Sequence, residues 1–286
     1  MKKILIIGIK GMAGHMIFKS LSLMGDYDVY GIARNINPRS NVFNLDVTNT
    51  EELSKIIDMN FDVVINCIGI LNKDAEDSPH KAIWFNSYFP HYLEAITKNT
   101  KSKVISISTD CVFSGKKGGY SENDFKDGEG FYAQSKALGE IVNDKDLTIR
   151  TSIIGPELNI NGIGLFHWFM NQKGTINGFT NAIWAGVTTL ELAKAVSWAI
   201  ENNITGLYHI TNNKSINKCD LLNLFKTHTQ KKISIIATEG KEVNKSFLDT
   251  RQEINFRIPD YDSMVMEMVE LIKNDDKLYQ HYKLNS

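Results

Sequence analysis

Lys3-Ile-Leu-Ile-Ile-Gly8-Ile-Lys10-Gly11-Met12-Ala-Gly14 is the stretch that decides the fold. Lys3 to Ile7 reads as a short apolar β-strand, and His15 to Met24 shows helical periodicity, so the three glycines fall on a strand-to-helix turn. Glycines at such a turn let the backbone bend tightly and approach a pyrophosphate, whose charge is met by free N–H groups at the helix start. A glycine triplet alone is a weak signal. Its place between a strand and a helix makes it a dinucleotide-binding turn, with Gly8, Lys10, Gly11, Met12 and Gly14 as the candidate contacts.

Moving outward, Asp28 to Ile32 is the second strand, and the residues just beyond it decide which nicotinamide cofactor fits. An acidic residue there would bond a ribose 2′-hydroxyl. This chain has Ala33-Arg34-Asn35, so Arg34 is expected to grip a 2′-phosphate rather than to be a merely solvated surface arginine, and the phosphorylated cofactor, NADPH, is favoured. Asp46 and Val47 follow a third short apolar step, where Asp46 would meet the adenine edge. After a polar helix from Asn49 to Asp58, the run Asp62 to Ile68 is almost continuously apolar, as in a strand buried on both faces. It ends in Cys67-Ile68-Gly69, three further cofactor contacts, with Cys67 read as a small core residue rather than a nucleophile. Pro79 opens a long helix through Thr97, and Asn86 inside it is expected to face the cofactor.

Ile105-Ser-Ile-Ser-Thr109-Asp-Cys111 is an apolar run that ends in hydroxyls, a strand delivering Ser108 and Thr109 to its carboxyl end. After a polar loop comes a helix with Tyr132 and Lys136 one turn apart on one face. An ammonium roughly 4 Å from a phenol is worth on the order of 4 kcal/mol at an effective dielectric of 20, about three pK units, which would bring Tyr132 toward neutral pH as a general acid. The spacing recurs at Tyr279 and Lys283, in a charged segment read as solvated and without a strand to build on. That copy is taken as a decoy, because only Tyr132 follows a hydroxyl-bearing strand.

Leu147 to Ile154 is a further strand, and the alternation of strands and helices up to this point makes the fold α/β, a Rossmann-type doubly wound parallel sheet. Residues 1–154 are expected to form the nucleotide-binding domain, with about 186–211 returning to it, and 155–286 to form mainly a smaller substrate lobe. Phe166-His-Trp-Phe169 is read as core of that lobe, and helices are expected near Lys218 to Thr227 and Asp262 to Lys273.

At 286 residues the chain can bury a sizeable core. Its net charge of −1, without a basic stripe, argues against nucleic acid as the main partner. No apolar run approaches the roughly 20 residues of a membrane span, and glycine interrupts the first apolar run too early for a signal peptide. Three cysteines without Cys-x-x-Cys spacing argue for a reducing, cytoplasmic compartment. The seven histidines are dispersed, and no metal is expected.

With these blocks the chain resembles an extended short-chain dehydrogenase/reductase, and within that superfamily the dTDP-4-dehydrorhamnose reductases. The resemblance spans essentially the whole chain and rests on Gly8-x-x-Gly11-x-x-Gly14, Ser108-Thr109-Asp110-x-Val112-Phe113, Tyr132-x-x-Ser135-Lys136-x-x-Gly139-Glu140 and Arg150-Thr151-Ser152. It implies that Thr109 bonds the sugar carbonyl, that Tyr132 donates the proton, and that Lys136 tunes Tyr132 and holds the nicotinamide ribose. The implied reaction is NADPH-dependent reduction of the C4 keto group of a nucleotide-activated 6-deoxysugar. Departures from the family pattern at Cys111, Ile153, the 178–186 stretch with Trp184, and the 244–251 tail with Arg251 resemble an acetamido-sugar subgroup acting on UDP-linked substrates, such as the reductases leading to UDP-N-acetyl-L-rhamnosamine. Cys111, Val112, Phe113, Ile153, Trp184 and Arg251 are the expected substrate contacts. The same family also holds out dTDP-L-rhamnose formation, a cofactor-recycling epimerase or dehydratase, and a non-catalytic NADP-binding regulatory subunit like that of methionine adenosyltransferase. A homodimer is the assembly considered.

Overall fold

The computed structural model describes residues 1–251 and 256–284. The first half alternates strand and helix: β1 (Lys2–Ile7), α1 (Met12–Met24), β2 (Tyr27–Ala33), β3 (Val42–Asn44), α2 (Thr50–Ile57), β4 (Val63–Asn66), α3 (Asn72–Asp77), α4 (Pro79–Ala82), a π-helical turn Ile83–Tyr88, α5 (Phe89–Thr97) and β5 (Lys103–Thr109). After a 3₁₀ turn at Asp110–Val112 come α6 (Gly130–Leu138), β6 (Leu147–Thr151), β7 (Ile153–Ile154), α7 (Leu165–Asn171), β8 (Thr175–Phe179), β9 (Ala182–Trp184), β10 (Val187–Thr188), α8 (Thr189–Glu201) and β11 (Gly206–His209). The remainder is β12 (Ile216–Asn217), α9 (Lys218–Thr229), β13 (Ser234–Thr238), β14 (Val243–Asn244), α10 (Tyr261–Asn274) and α11 (Asp276–Tyr279).

Seven strands form one parallel sheet in the order β11-β6-β5-β4-β1-β2-β3, which reverses direction between β1 and β4. Strand periodicity explains its two covered faces. Ile4 and Ile6 point to one side, into a core shared with Met16, Ile17 and Leu21 of α1 and Val196 of α8. Leu5 and Ile7 point to the other, against Leu53 and Ile57 of α2 and Phe89 and Leu93 of α5. All four of these β1 residues are fully buried, each side chain contributing about 1.5–3 kcal/mol by transfer from water. This two-sided burial is why β1 reads as an unbroken apolar run.

Three sequence expectations need correction. Leu147 to Ile154 is not one strand: β6 ends at Thr151, and β7 leaves the main sheet to pair with β10. Pro79 to Thr97 is helical throughout but widens to π geometry at 83–88. The segment around Tyr279 is not solvated: Tyr279 and Tyr282 are 1% and 5% exposed, with Tyr282 packed edge-on against Phe166. Phe166 and Phe169 are themselves fully buried against Phe225 of α9, which makes that aromatic cluster core. No helix among the described residues is long and apolar enough to cross a membrane.

Candidate active site

The strand-order reversal places a crevice beyond the carboxyl ends of β1 and β4, where open α/β sheets bind ligands. Gly8 sits at φ +97°, and a Cβ on Gly14 would lie 2.2 Å from the Gly8 carbonyl oxygen, so neither position accepts a side chain without moving the backbone. The start of α1 has no side-chain cap and no acidic residue in its first turn. Its free N–H groups are therefore available to an anion. This cradle fits the pyrophosphate of a dinucleotide.

A groove runs from this turn in three connected sections. The first is lined by Gly8, Lys10, Gly11, Arg34, Asp46, Val47, Cys67, Ile68 and Gly69. The second shares Gly11, Cys67, Ile68 and Gly69 with it and adds Met12, Ser108, Thr109, Cys111, Tyr132, Lys136, Ser152 and Ile153. The third shares Asn72, Cys111 and Tyr132 with the second and opens outward past Phe113, Lys116, Lys241 and Lys245. A larger cavity lies elsewhere, behind α6, and includes none of Thr109, Tyr132 and Lys136.

Tyr132 is set in place by a distant carboxylate. Glu76 Oε1 in α3 accepts from the Tyr132 backbone N–H at 3.2 Å, and Gly130, at φ +87°, lets the chain enter α6 against it. Thr109 ends β5, where its hydroxyl oxygen accepts from Cys111 N at 3.1 Å. It also faces the Tyr132 phenol. Lys136 Nζ donates to the Ile107 carbonyl at 2.7 Å. Burial pulls its ammonium down to about 8, against the raising influence of Glu140.

The expected downward shift of Tyr132 is not observed. Its phenol is pushed up, first by burial and then by neighbouring Cys111 and Asp110, with only the Thr109 hydroxyl opposing. Desolvation of the phenolate dominates, and the Lys136 ammonium is turned onto a backbone carbonyl. Tyr132 therefore stays a protonated phenol at neutral pH, the form a proton donor needs. Burial likewise raises Cys67 to about 12 and Cys111 to about 11, so both remain thiols.

Other sequence-predicted residues sit differently from expectation. Asn86 is fully buried beneath the groove, where its amide bonds both backbone groups of Ile70 (2.8 and 2.9 Å) and Ser135 Oγ (3.0 Å). It shapes the floor rather than facing a ligand. Val112 is fully buried and does not line the groove, whereas Phe113 reaches its outer section although stacked on Tyr120 at 4.2 Å. Trp184 is buried one layer back, donating to Ser152 Oγ at 2.8 Å. Arg251 lies at the far sheet edge, donating to Thr205 O (2.7 Å) and Leu207 O (3.3 Å) on the cavity behind α6, so it does not join the groove that holds Tyr132. Sequence reasoning missed Asn72, Glu76, Ser152 and Lys245. The first two follow β4 in a loop and short helix without a patterned signal, while Ser152 and Lys245 lie inside stretches already singled out.

Arg34 is 66% exposed and pairs with Asp46 at 3.2 Å. Burial pushes the Asp46 carboxyl up, but hydrogen bonds from Thr48 and Arg34 outweigh it and hold it below the usual range. Arg34→Glu is expected to raise the KM for NADPH far more than that for NADH, because it puts a carboxylate where the 2′-phosphate would lie. Equal effects on both cofactors, in steady-state kinetics, would show that Arg34 does not touch that phosphate.

Among known proteins, the chain is 25% identical over 231 residues to the probable low-salt glycan biosynthesis reductase Agl14 of Haloferax volcanii, covering 75% of this chain and 76% of that protein. It is 27% identical over 224 residues to the dTDP-4-dehydrorhamnose reductase of Aggregatibacter actinomycetemcomitans, covering 74% of each. The crystal structure of dTDP-4-dehydrorhamnose reductase from Bacillus anthracis in complex with NADP superposes with a TM-score of 0.80 at 20% identity, over 95% of this chain and 100% of that one, a likeness of fold. The RmlD substrate binding domain profile matches residues 1–271, so the chain belongs to the RmlD substrate-binding-domain family.

Proposed function

We propose that this protein is an NADPH-dependent reductase of the C4 keto group of a nucleotide-activated 6-deoxyhexos-4-ulose. The reading is carried by one observation: Thr109, Tyr132 and Lys136 line a single section of a groove that begins at a glycine turn shaped for a pyrophosphate. Gly8, Gly11, Met12 and Gly14 would hold the dinucleotide at that turn, with Lys10, Arg34, Asp46, Val47, Ile68 and Gly69 around its adenine half. When bound, the nicotinamide supplies the hydride that reaches C4. The Thr109 and Tyr132 hydroxyls bond the carbonyl oxygen, and Tyr132 delivers its proton as the C–O bond becomes single, so charge never develops fully on that oxygen. Lys136 places a positive charge behind the phenol and stabilises the phenolate left after transfer.

We assign the sugar to the outer section of the groove and to residues 155–286, with 186–211 returning to the sheet layer. Cys111 stands beside Tyr132 and is far smaller than an aromatic ring, and the space it leaves suits an acetamido group at C2. The substrate is then UDP-2-acetamido-2,6-dideoxy-L-hexos-4-ulose and the product UDP-N-acetyl-L-rhamnosamine or its C4 epimer. A second reading, formation of dTDP-L-rhamnose, is favoured by the names of the relatives.

Enzyme, NADPH and a panel of UDP- and dTDP-linked 4-keto sugars should lose reduced-nicotinamide absorbance, and NMR of the product identifies the nucleotide and the C2 group. No turnover on any 4-keto sugar nucleotide, joined to capture of a partner enzyme, would sink the reductase reading in favour of a regulatory subunit. Tight cofactor recycled without net consumption would point to an epimerase or dehydratase. In the free enzyme, kcat/KM is expected to fall on the alkaline side with an apparent pKa near the 8 of Lys136, as the ammonium that supports the phenolate loses its proton. A flat profile up to pH 10 would remove Lys136 from the proton-transfer step.

A further inference from the structure

The C-terminal segment that carries the second Tyr-x-x-x-Lys makes a buried contact with the glycine turn. The Tyr279 hydroxyl lies 3.0 Å from His15 Nε2 in α1, and the other ring nitrogen, His15 Nδ1, is 2.9 Å from the Gly11 carbonyl oxygen. A carbonyl can only accept, so Nδ1 carries the ring proton, and Nε2 is left to accept from the tyrosine O–H. Burial holds the His15 ring below its ordinary pKa, which keeps it neutral with one donor and one acceptor. The His15 backbone N–H donates to the same Gly11 oxygen at 3.0 Å.

Two donors thus pin one carbonyl. In a planar trans peptide the Gly11 C=O and the Met12 N–H point in opposite directions, so fixing the first fixes the second. Gly11 and Met12 both line the groove. We propose that Tyr279 is a positioning residue for the dinucleotide: through His15 it locks the Gly11–Met12 peptide with the Met12 N–H turned toward the pyrophosphate. This rests on the cofactor reading of the groove. The tail is held in reach by Lys19 and Asp275, paired at 2.5 Å, and by the Tyr282 hydroxyl, which accepts from Glu157 N at 2.8 Å.

The test compares wild type, Tyr279→Phe, His15→Phe and Lys19→Met by fluorescence titration with NADPH, with ¹⁵N NMR of the histidine rings before cofactor is added. Tyr279→Phe should raise the Kd for NADPH about three- to tenfold, the fold-change of one lost neutral hydrogen bond. Its kcat at saturating cofactor should be unchanged, and the His15 Nε2 resonance should shift as its hydrogen bond is lost while Nδ1 keeps the proton that the Gly11 carbonyl accepts. His15→Phe, which keeps ring volume and removes both nitrogens, should weaken NADPH at least as much. Lys19→Met removes one of the contacts that hold the tail and a cation over the Tyr279 ring but leaves the Tyr279–His15 bond in place, so it should lower the Tm and raise Kd by less than either phenylalanine variant. A wild-type Kd in either folded phenylalanine variant, or a rise in Lys19→Met equal to theirs, would overturn the assignment. Failure of the wild-type chain to bind NADPH would sink the cofactor reading itself, and this inference with it.

Discussion

Tyr132→Phe is expected to lower kcat on the 4-keto sugar nucleotide by about 10² to 10⁴, the usual contribution of a positioned general acid. NADPH affinity should stay close to wild type, because the phenol lies in the middle section of the groove and the section at Arg34 and Asp46 is lined without it. The substitution removes one oxygen and keeps the ring, so α6 and its anchor at Glu76 are undisturbed. Unchanged turnover in stopped-flow or steady-state assays would dismiss Tyr132 as the proton donor. The fall should appear in kcat and kcat/KM alike, since the hydrogen bond lost is one that strengthens as partial negative charge builds on the carbonyl oxygen in the transition state.

Arg150→Met should destabilise the fold by about 3–5 kcal/mol at neutral pH, the cost of leaving one member of a buried ion pair alone. Arg150 and Glu140 are each 1% exposed and meet through two bonds, Nε to Oε1 at 2.9 Å and Nη2 to Oε2 at 2.7 Å. Ser108 Oγ donates to the same carboxylate at 2.8 Å, and Lys126 approaches it at 3.2 Å. The Arg150 guanidinium also donates to His209 Nε2 at 2.8 Å, a ring that burial lowers to about 4 and so keeps neutral. Burial pushes the Glu140 carboxyl up, but its bonds to Arg150 outweigh this and leave it below the ordinary value. A depressed carboxylate contributes stability above its unfolded pKa and loses it as pH falls through the folded value. The gap between wild type and variant, read by urea unfolding, should therefore narrow in acid. Adding Glu140→Gln to Arg150→Met should recover part of the loss, since no unpaired charge remains. A double variant as unstable as the sum of the two singles would mean that the pair is not coupled.

Much of this fold could be read along the chain because its signals are local. The glycine turn, the two-sided apolar strands and the one-turn spacing of Tyr132 and Lys136 depend on covalent geometry and periodicity, which neighbouring residues carry in full. The placement of Asn86, Trp184 and Arg251 could not be read that way. Each is a polar or amphipathic side chain whose role depends on which distant group it meets: the Ile70 backbone, the Ser152 hydroxyl and the β11 edge respectively.

Proton affinity divides along the same line. Spacing suggested an ammonium lowering a phenol, yet burial, a product of tertiary packing, leaves Tyr132 raised and Lys136 lowered. Tyr279 makes the point most directly. Its motif is indistinguishable by spacing from that of Tyr132, and only the docking of the tail against α1 gives it a neighbour 264 positions away. Order along the chain dictates which residues are offered at each turn and strand end, through steric and hydrophobic rules that act within a few residues. Which of them share a desolvated space, and therefore what charge each carries, is decided by long-range packing.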